Sequence, residues 1–327
     1  MNVHDNLDYS MRGVTIEYTA LRKTDLKISK VGIGTNKVGG AIYYDHTDPS
    51  QGKNFIKEAI RFGINFIDTA DMYTDGRSEK LIGEVLREID TKREDIVLAT
   101  KGAIEKLPDG TTRKNNKPSY LRSALETSLK RLNQDYIDLY YLHFPDDETP
   151  ISESVGELSR MKDEGKIKAI GVSNLSLDQL KEANEVAEIS AFQFGYNMLD
   201  RTAEQELLPY CIENNISFIP YFPLASGILS GKYSINSAFD DGDPRQKRFK
   251  GEDARKKFEI AARLNDLADS KDITMPHLAL AWLLAQKGVD AVIPGGRRPE
   301  QARSNAETVD IKLSFKDLQT IESILDN

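Results

Sequence analysis

Asp68, Tyr73, Lys101 and His143 carry the side chains that could do chemistry together. Asp68 lies inside the apolar run INFIDTA (Ile64 to Ala70), and Tyr73 stands just beyond it. Lys101 ends the run DIVLATK (Asp95 to Lys101), and His143 ends IDLYYLH (Ile137 to His143). A carboxylate within an apolar run needs a cationic partner or it takes up a proton. Lys101, one run away, is the nearest candidate. An unaided phenol ionises near pH 10, and lowering that by about 3 units requires roughly 4 kcal/mol. One ammonium at about 4 Å, with an effective dielectric of 20, supplies about that much. The set therefore reads as a general acid that needs no metal. Tyr73 gives its proton to a carbonyl oxygen, Lys101 acidifies it, Asp68 holds Lys101, and His143 is a second donor that orients the substrate. Such catalysis contributes about 10²- to 10⁴-fold. Taken singly, a polar residue ending an apolar run is more often structural; three on successive runs with a tyrosine beside them point to a site.

Those residues meet only if the fold sets their runs side by side. Further apolar runs are KVGIGT (Lys30 to Thr35), IKAIGVSN (Ile167 to Asn174), AFQFGYN (Ala191 to Asn197), SFIPYF (Ser217 to Phe222) and DAVIPG (Asp290 to Gly295). Continuous runs rich in Ile, Val, Phe and Tyr suit parallel strands covered on both faces. Helical stretches separate them. In SYLRSALETSLKRL, Leu121, Leu125, Leu129 and Leu132 recur at spacings of 4, 4 and 3, with Ser119 as the expected cap after Pro118. Eight such units predict an α/β fold, a (β/α)8 TIM barrel, ahead of a doubly wound open sheet. In a barrel, functional side chains gather at the carboxyl ends of the strands, which lie about 4.8 Å apart. Ile16 to Ser29 reads as a hairpin before the first strand. The connection from Pro223 to Val289 is long enough to carry extra helices and to project over the mouth. Residues 1–14 read as a loose extension, and 15–327 as a single domain.

Composition narrows the function classes. The chain has 327 residues, 39% hydrophobic and 29% charged, which supports a large core. A net charge of −8 with no basic stripe argues against nucleic acid or an anionic membrane as partner. Cys211 is the one cysteine, so an intramolecular disulfide and a cysteine-based zinc site are excluded. The four histidines show no metal spacing. With no apolar run of about eighteen residues and no signal-like start, a cytoplasmic protein is expected. GIGTNK (Gly32 to Lys37) begins like a dinucleotide fingerprint but places Lys37 at the third glycine position. SGILSGKY has Gly227 one residue too close for a phosphate loop, and Tyr233 replaces Ser or Thr.

The string GINFIDTADMYTDGRSEKLIGEVL, then Thr100-Lys101, LHFPD (Leu142 to Asp146) and GVSN (Gly171 to Asn174), resembles the aldo-keto reductases. YNML, PYFPLASGILSGKY and IPGGRRPEQARSN continue the match from about Ile16 to the carboxyl end, with a look closest to bacterial members tied to inositol operons and general stress. The resemblance implies that Asp68, Tyr73, Lys101 and His143 are a catalytic tetrad, in the roles given above. It implies NADPH lying extended across the mouth, with Gly34, Thr35, Asn36 and Asp68 among its contacts. Ser173, Asn174 and Gln193 would bond the carboxamide, and Tyr221 would stack on the nicotinamide ring. Phe222, Pro223, Leu224, Ala225, Gly227, Leu229, Gly231 and Lys232 would form a loop over the pyrophosphate, where Gly227 and Gly231 allow close backbone approach. Gly295, Gly296, Arg297, Arg298, Gln301 and Asn305 would hold the adenosine end. The residues agree: two glycines turn the chain, Pro299 starts a short helix, and Gln301 and Asn305 share one face of it. Either Arg297 or Arg298 suits a 2′-phosphate, so NADPH is expected over NADH.

The departures concern the substrate. Many members of that family carry a tryptophan after the first strand, where this chain has Asn36. Trp282 lies in the apolar run HLALAWLL and is expected in the core. Tyr43, Tyr44, Met72 and Phe144 are the expected pocket walls for a small carbonyl compound, in a monomer or weak oligomer. Two other readings compete with a reductase. One is a cofactor-sensing module with little turnover, as in potassium-channel β subunits that resemble this fold. The other makes Lys101 a Schiff-base nucleophile.

Overall fold

A computed structural model of the chain describes residues 15–40, 48–241, 243 and 245–326. The expected extension at 1–14 lies outside them, as do Tyr43 and Tyr44. The expected hairpin is present: β1 (Tyr18–Ala20) pairs antiparallel with β2 (Lys27–Ser29). A parallel sheet follows, built from β3 (Ile33–Gly34), β4 (Phe66–Asp68) and β5 (Val97–Gly102). A second hairpin, β6 (Ile104–Lys106) with β7 (Thr112–Lys114), leaves the end of β5. β8 (Ile137–Leu142), β9 (Ile167–Ser173), β10 (Ile189–Gly195) and β11 (Ser217–Tyr221) complete the sheet in the order β3-β4-β5-β8-β9-β10-β11, with every pair parallel.

The run DAVIPG, expected as an eighth strand, makes only isolated parallel bridges. Val289 bridges Phe218 on one edge of the sheet; Val292 bridges Val31 and Gly295 bridges Gly34 on the other. The local chemistry explains why no ladder forms. Pro294 has no N–H to donate, and Gly295 and Gly296 lack side chains that favour a strand. One segment is thus tied to both edges of a seven-stranded sheet.

Helices cover the outer face: α1 (Pro49–Arg61), α2 (Arg77–Glu88), α3 (Pro118–Leu132), α4 (Ile151–Asp163), α5 (Leu177–Val186) and α6 (Leu207–Glu213). The long connection after β11 holds α7 (Arg245–Arg248), α8 (Gly251–Asp269) and α9 (Met275–Ala285); α10 (Pro299–Glu307) and α11 (Phe315–Leu325) end the chain. α10 packs on α1, α1 on α2, α2 on α3, α3 on α4 and α4 on α5, so neighbouring helices follow the strand order. The Leu121, Leu125, Leu129 and Leu132 stripe is the buried face of α3. Ser119 is not its cap. Pro118 itself takes the first helical position, where its missing N–H costs nothing, and Lys117 therefore precedes the helix with no capping side chain. Trp282 is fully buried, as expected.

Strand periodicity sorts the core into two layers. Ile67, Leu98, Tyr140, Leu142, Ile170, Val172, Phe192 and Phe218 belong to the large cluster that includes the helices. Alternate residues form a separate interior cluster: Phe66, Val97, Ala99, Leu139, Tyr141, Ala169, Ala191, Ile219, Ala291 and Ile293, joined by Leu21 and Ile28 of the first hairpin. Because successive side chains point to opposite faces, the next interior positions along these strands are Asp68, Lys101, His143, Gln193 and Tyr221, with Ser173 following Gly171 on β9. The candidate site is the last, polar layer of a filled interior.

Candidate active site

Lys101 is fully buried at the end of β5, and its ammonium makes three contacts. It donates to Asp68 Oδ1 at 2.5 Å, to the Thr69 carbonyl at 2.8 Å and to the Tyr73 hydroxyl at 3.5 Å. Three donors and three acceptors leave no proton of the ammonium idle. Register explains the meeting: β4 and β5 are adjacent and parallel, with Asp68 opposite Ala99, two residues before Lys101. The other carboxylate oxygen of Asp68 accepts from Gln193 Nε2 at 2.9 Å. His143 is buried beyond β8, its ring edge-on to Tyr73 at 6.2 Å and stacked on Phe144 at 4.6 Å.

Burial disfavours the Lys101 ammonium, but Asp68 and Tyr73 together outweigh it, and its pKa lies above the usual 10.5. That is the reverse of what a Schiff-base nucleophile needs, since an amine attacks only when neutral. His143 is held well below 6.5, first by burial and then by the Lys101 charge, so the imidazole is neutral at pH 7. The expectation of an acidic phenol is corrected. Burial pushes the Tyr73 hydroxyl above its ordinary value of 10, and the opposing pull of Lys101 does not overcome it. The ammonium is already shared with Asp68, whose own charge works against the phenolate. Tyr73 is therefore protonated at neutral pH, beside a charged lysine and a neutral histidine.

Tyr73 opens a tight turn that ends at Gly76. Thr74 (φ 47°), Asp75 (φ 63°) and Gly76 (φ 76°) are all left-handed. Glycine accepts this freely, while each non-glycine residue there costs about 1–3 kcal/mol. Compensating contacts surround the turn. Thr74 Oγ1 donates to the Tyr73 carbonyl at 2.8 Å, Arg77 Nε donates to the Thr74 carbonyl at 3.2 Å, and Lys106 of the β6–β7 hairpin pairs with Asp75. Behind it lies a polar group made of buried Asp71, Glu79 and Thr100 with half-buried Arg131, which the sequence reading passed over.

Asp71 Oδ1 is buried with no hydrogen-bond partner among the described residues. Burial, reinforced by neighbouring Glu79, raises its pKa to about 8 against a partial offset from Arg131. A carboxyl that holds its proton more tightly when folded loses stability as pH climbs from about 4 towards 8, because the unfolded chain releases that proton first. Asp71→Asn should therefore gain on the parent protein as pH rises. Urea melts at pH 5 and pH 8.5 should show the difference widening by about 2 kcal/mol or more; parallel curves at both pH values would refute the assignment.

The remaining expected positions fall around the same rim. Ser173, Asn174 and Gln193 are connected: Ser173 Oγ donates to the Gln193 carbonyl at 2.9 Å, and Asn174 Nδ2 donates to Ser173 Oγ at 2.9 Å and to the His143 carbonyl at 3.0 Å. The Tyr221 hydroxyl donates to Asn174 Oδ1 at 2.8 Å, and its ring lies over Gly195. Thr35 spends its hydroxyl inside the protein, donating to the Asp68 carbonyl at 2.9 Å. Gly34, Asn36 and Gly295 adjoin one another. The segment from Phe222 to Gly231 is wound through left-handed residues at Phe222, Ala225, Ser226, Gly227 and Gly231. Within it Pro223 is buried, Leu229 completely so, and Leu224 half-buried, while Lys232 just after it is exposed. Arg297 is half-buried and Arg298 exposed; Gln301 Oε1 accepts from both of their backbone N–H groups. Asn305 is buried, with Nδ2 unpartnered among the described residues. Of the expected pocket walls, Met72 is 40% exposed beside Tyr73, and Phe144 lies between His143 and Lys114.

Two further cations were not foreseen. Lys37 is lowered to about 8, first by burial and then by the charges of Arg297 and Arg245. Arg245 is gripped by Asp243 and donates to Tyr233 at 2.6 Å. Lys37 follows β3, Arg245 belongs to α7 and Arg297 precedes α10, so no motif contains them; only the tertiary fold makes them neighbours.

The profile of the aldo/keto reductase family matches residues 30–326. The aldo-keto reductase YhdN of Bacillus subtilis (strain 168) is 36% identical over 315 residues, spanning 95% of this chain and 94% of that protein. The NADH-specific methylglyoxal reductase of Escherichia coli (strain K12) is 36% identical over 312 residues, spanning 91% and 94%. Among solved structures, the glycerol dehydrogenase AKR11B4 from Gluconobacter oxydans superposes with a TM-score of 0.85 at 31% identity, covering 95% of this chain and 94% of that one.

Proposed function

The chain belongs to the aldo/keto reductase family, and from that premise we propose that it reduces an aldehyde or ketone with NADPH, Tyr73 giving the proton. An oxidoreductase of carbonyl compounds that uses a nicotinamide cofactor follows from the family itself. The finer reading rests on one observation above all: a single ammonium, Lys101, bonds both Asp68 and Tyr73. The bridges from 289–295 to both edges of the sheet support reading the architecture as a closed (β/α)8 barrel, with residues 15–327 as one domain.

The rim suits a nicotinamide dinucleotide. Asn174 Oδ1 and Gln193 Oε1 retain acceptor capacity that matches the two N–H bonds of a carboxamide. Gly34 and Gly295 present bare backbone where a side chain at Gly34 would stand 2.9 Å from the Ile293 carbonyl. Asn305 offers a buried donor that is unused among the described residues. Lys37, Arg245 and Arg297 concentrate positive charge, which phosphates would neutralise.

A nicotinamide cofactor, when bound along this rim, would supply the hydride for the carbonyl carbon. Tyr73 holds its proton at Oη against neutral pH and delivers it to the oxygen that becomes an alkoxide. Lys101 lowers the cost of the phenolate left behind, Asp68 keeps Lys101 in place, and the neutral His143 orients the carbonyl by a hydrogen bond. Depletion of NADPH across a panel of aldehydes, ketones, sugars and inositol derivatives tests the reading; tight binding without any turnover would mark a sensor instead. Arg297→Ala and Arg298→Ala should each be titrated with NADPH and NADH. Loss of one charge-assisted phosphate contact should weaken NADPH about 10- to 100-fold and leave NADH nearly unchanged. A parent protein that prefers NADH overturns the NADPH assignment.

A further inference from the structure

We propose that Arg131 is a positioning residue for the reaction: its guanidinium holds the turn that carries Tyr73 by tying the Asp71 carbonyl to buried Glu79. This rests on the reading of Tyr73 as proton donor. Arg131 lies on α3, remote in sequence from the tetrad, and its Nη1 donates to the Asp71 carbonyl at 3.2 Å and to Glu79 Oε2 at 3.1 Å. Glu79, on α2, is fully buried and takes its other bond from Thr100 Oγ1 at 2.8 Å, one residue before Lys101. The Asp71 backbone N–H donates to the Lys101 carbonyl at 3.1 Å. One guanidinium therefore joins the start of the Tyr73 turn to α2 and α3, and Glu79 and Asp71 carry the connection on to the strand of Lys101.

Gly76 shows how closely the turn is fitted to this group. It is left-handed at φ 76°, and a Cβ there would stand 2.4 Å from Arg131 Cζ. The turn is curled around the guanidinium, with no side chain between them. Left-handed Thr74 and Asp75 would relax to ordinary conformations if the surroundings allowed it, and relaxation would move the adjacent Tyr73. Arg131 also pairs with the buried Glu79 carboxylate at 3.1 Å, the negative neighbour of Asp71. A lysine there keeps the charge but would have to bring its one nitrogen, on a flexible stem, to the place of Nη1, and it lacks the flat guanidinium against which Gly76 is fitted.

The test uses the full chain as Arg131→Lys and Arg131→Met, with active sites counted by NADPH binding stoichiometry. Misplacement of a reacting group by about 1 Å costs on the order of 100-fold. We expect kcat per bound NADPH to fall about 30- to 100-fold, KM for the carbonyl and Kd for NADPH to stay within about threefold, and the solvent isotope effect on kcat to rise as proton delivery slows. A purely structural arginine would lower Tm and the bindable fraction while kcat per bound NADPH stayed within about twofold of the parent; that result overturns the proposal. Should the Arg131 variants fail to fold, Gly76→Ala keeps the arginine but drives a Cβ into its guanidinium at a left-handed position, parting the turn from Arg131, and it should show the same loss in kcat; parental kcat in Gly76→Ala also overturns it. A parent enzyme that reduces no carbonyl, or Tyr73→Phe acting at the parental rate, would instead remove the reading on which this inference stands.

Discussion

Tyr73→Phe should lower carbonyl reduction by about 10²- to 10⁴-fold while the Kd for NADPH stays within about twofold. On the proposed role of the hydroxyl in proton delivery the loss should be confined to kcat, since the phenyl ring would keep its edge contact with His143. The direction of the Tyr73 shift adds a pH signature. Burial holds the phenol above its ordinary value, so the acid form needed for reduction is fully present through neutrality and reduction should be flat from about pH 6 to 8. Alcohol oxidation needs the phenolate, whose population rises tenfold per pH unit below that pKa, so the reverse rate should climb steadily to pH 10. Steady-state rates in both directions over that range decide it. A reverse rate that levels off near pH 7 would mean that the phenol is acidic after all.

Lys101→Met should be the most damaging substitution in the site. It removes the cation that bonds Tyr73 and leaves Asp68 buried, 1% exposed, with Gln193 as its remaining side-chain partner. Breaking one partner of a buried ion pair costs about 3–5 kcal/mol, mainly because the other charge is stranded. Urea denaturation should show that loss, and reduction should fall at least as far as in Tyr73→Phe. Adding Asp68→Asn to Lys101→Met removes the stranded charge, so the double variant should recover much of the stability and none of the activity. If the double variant is no more stable than Lys101→Met, the pair is not the source of the loss.

Much of this arrangement was legible because strands impose a period of two. Apolar runs ending in polar residues reveal both the strands and the layer where Asp68, Lys101, His143, Ser173, Gln193 and Tyr221 gather. The elements that hold these strand ends were harder to read. Asp75-Gly76 is an ordinary turn signal, and nothing in it announces that Thr74 is left-handed as well. Arg131 sits on a helix whose apolar stripe says only which face is buried. Lys37 and Arg245 acquire meaning from each other and from Arg297, across long separations that local pattern does not span. The acidic phenol failed for a different reason. The attraction of one ammonium can be calculated from residue types, but the desolvation that opposes it belongs to the folded interior.

The segment 289–295 touches each edge of the sheet through isolated bridges, whereas β8 and β9 share a ladder of registered pairs. On the proposed closed-barrel reading, this junction is the seam of the ring, held by fewer backbone bonds than the ladders beside it. Ser173, Gln193 and Tyr221 lie on one side of it and Gly34 on the other, while Arg297 and Asn305 follow directly from the seam segment. A dinucleotide stretched across these positions would act as a clasp over the joint, so the cofactor would fasten the very wall against which it rests.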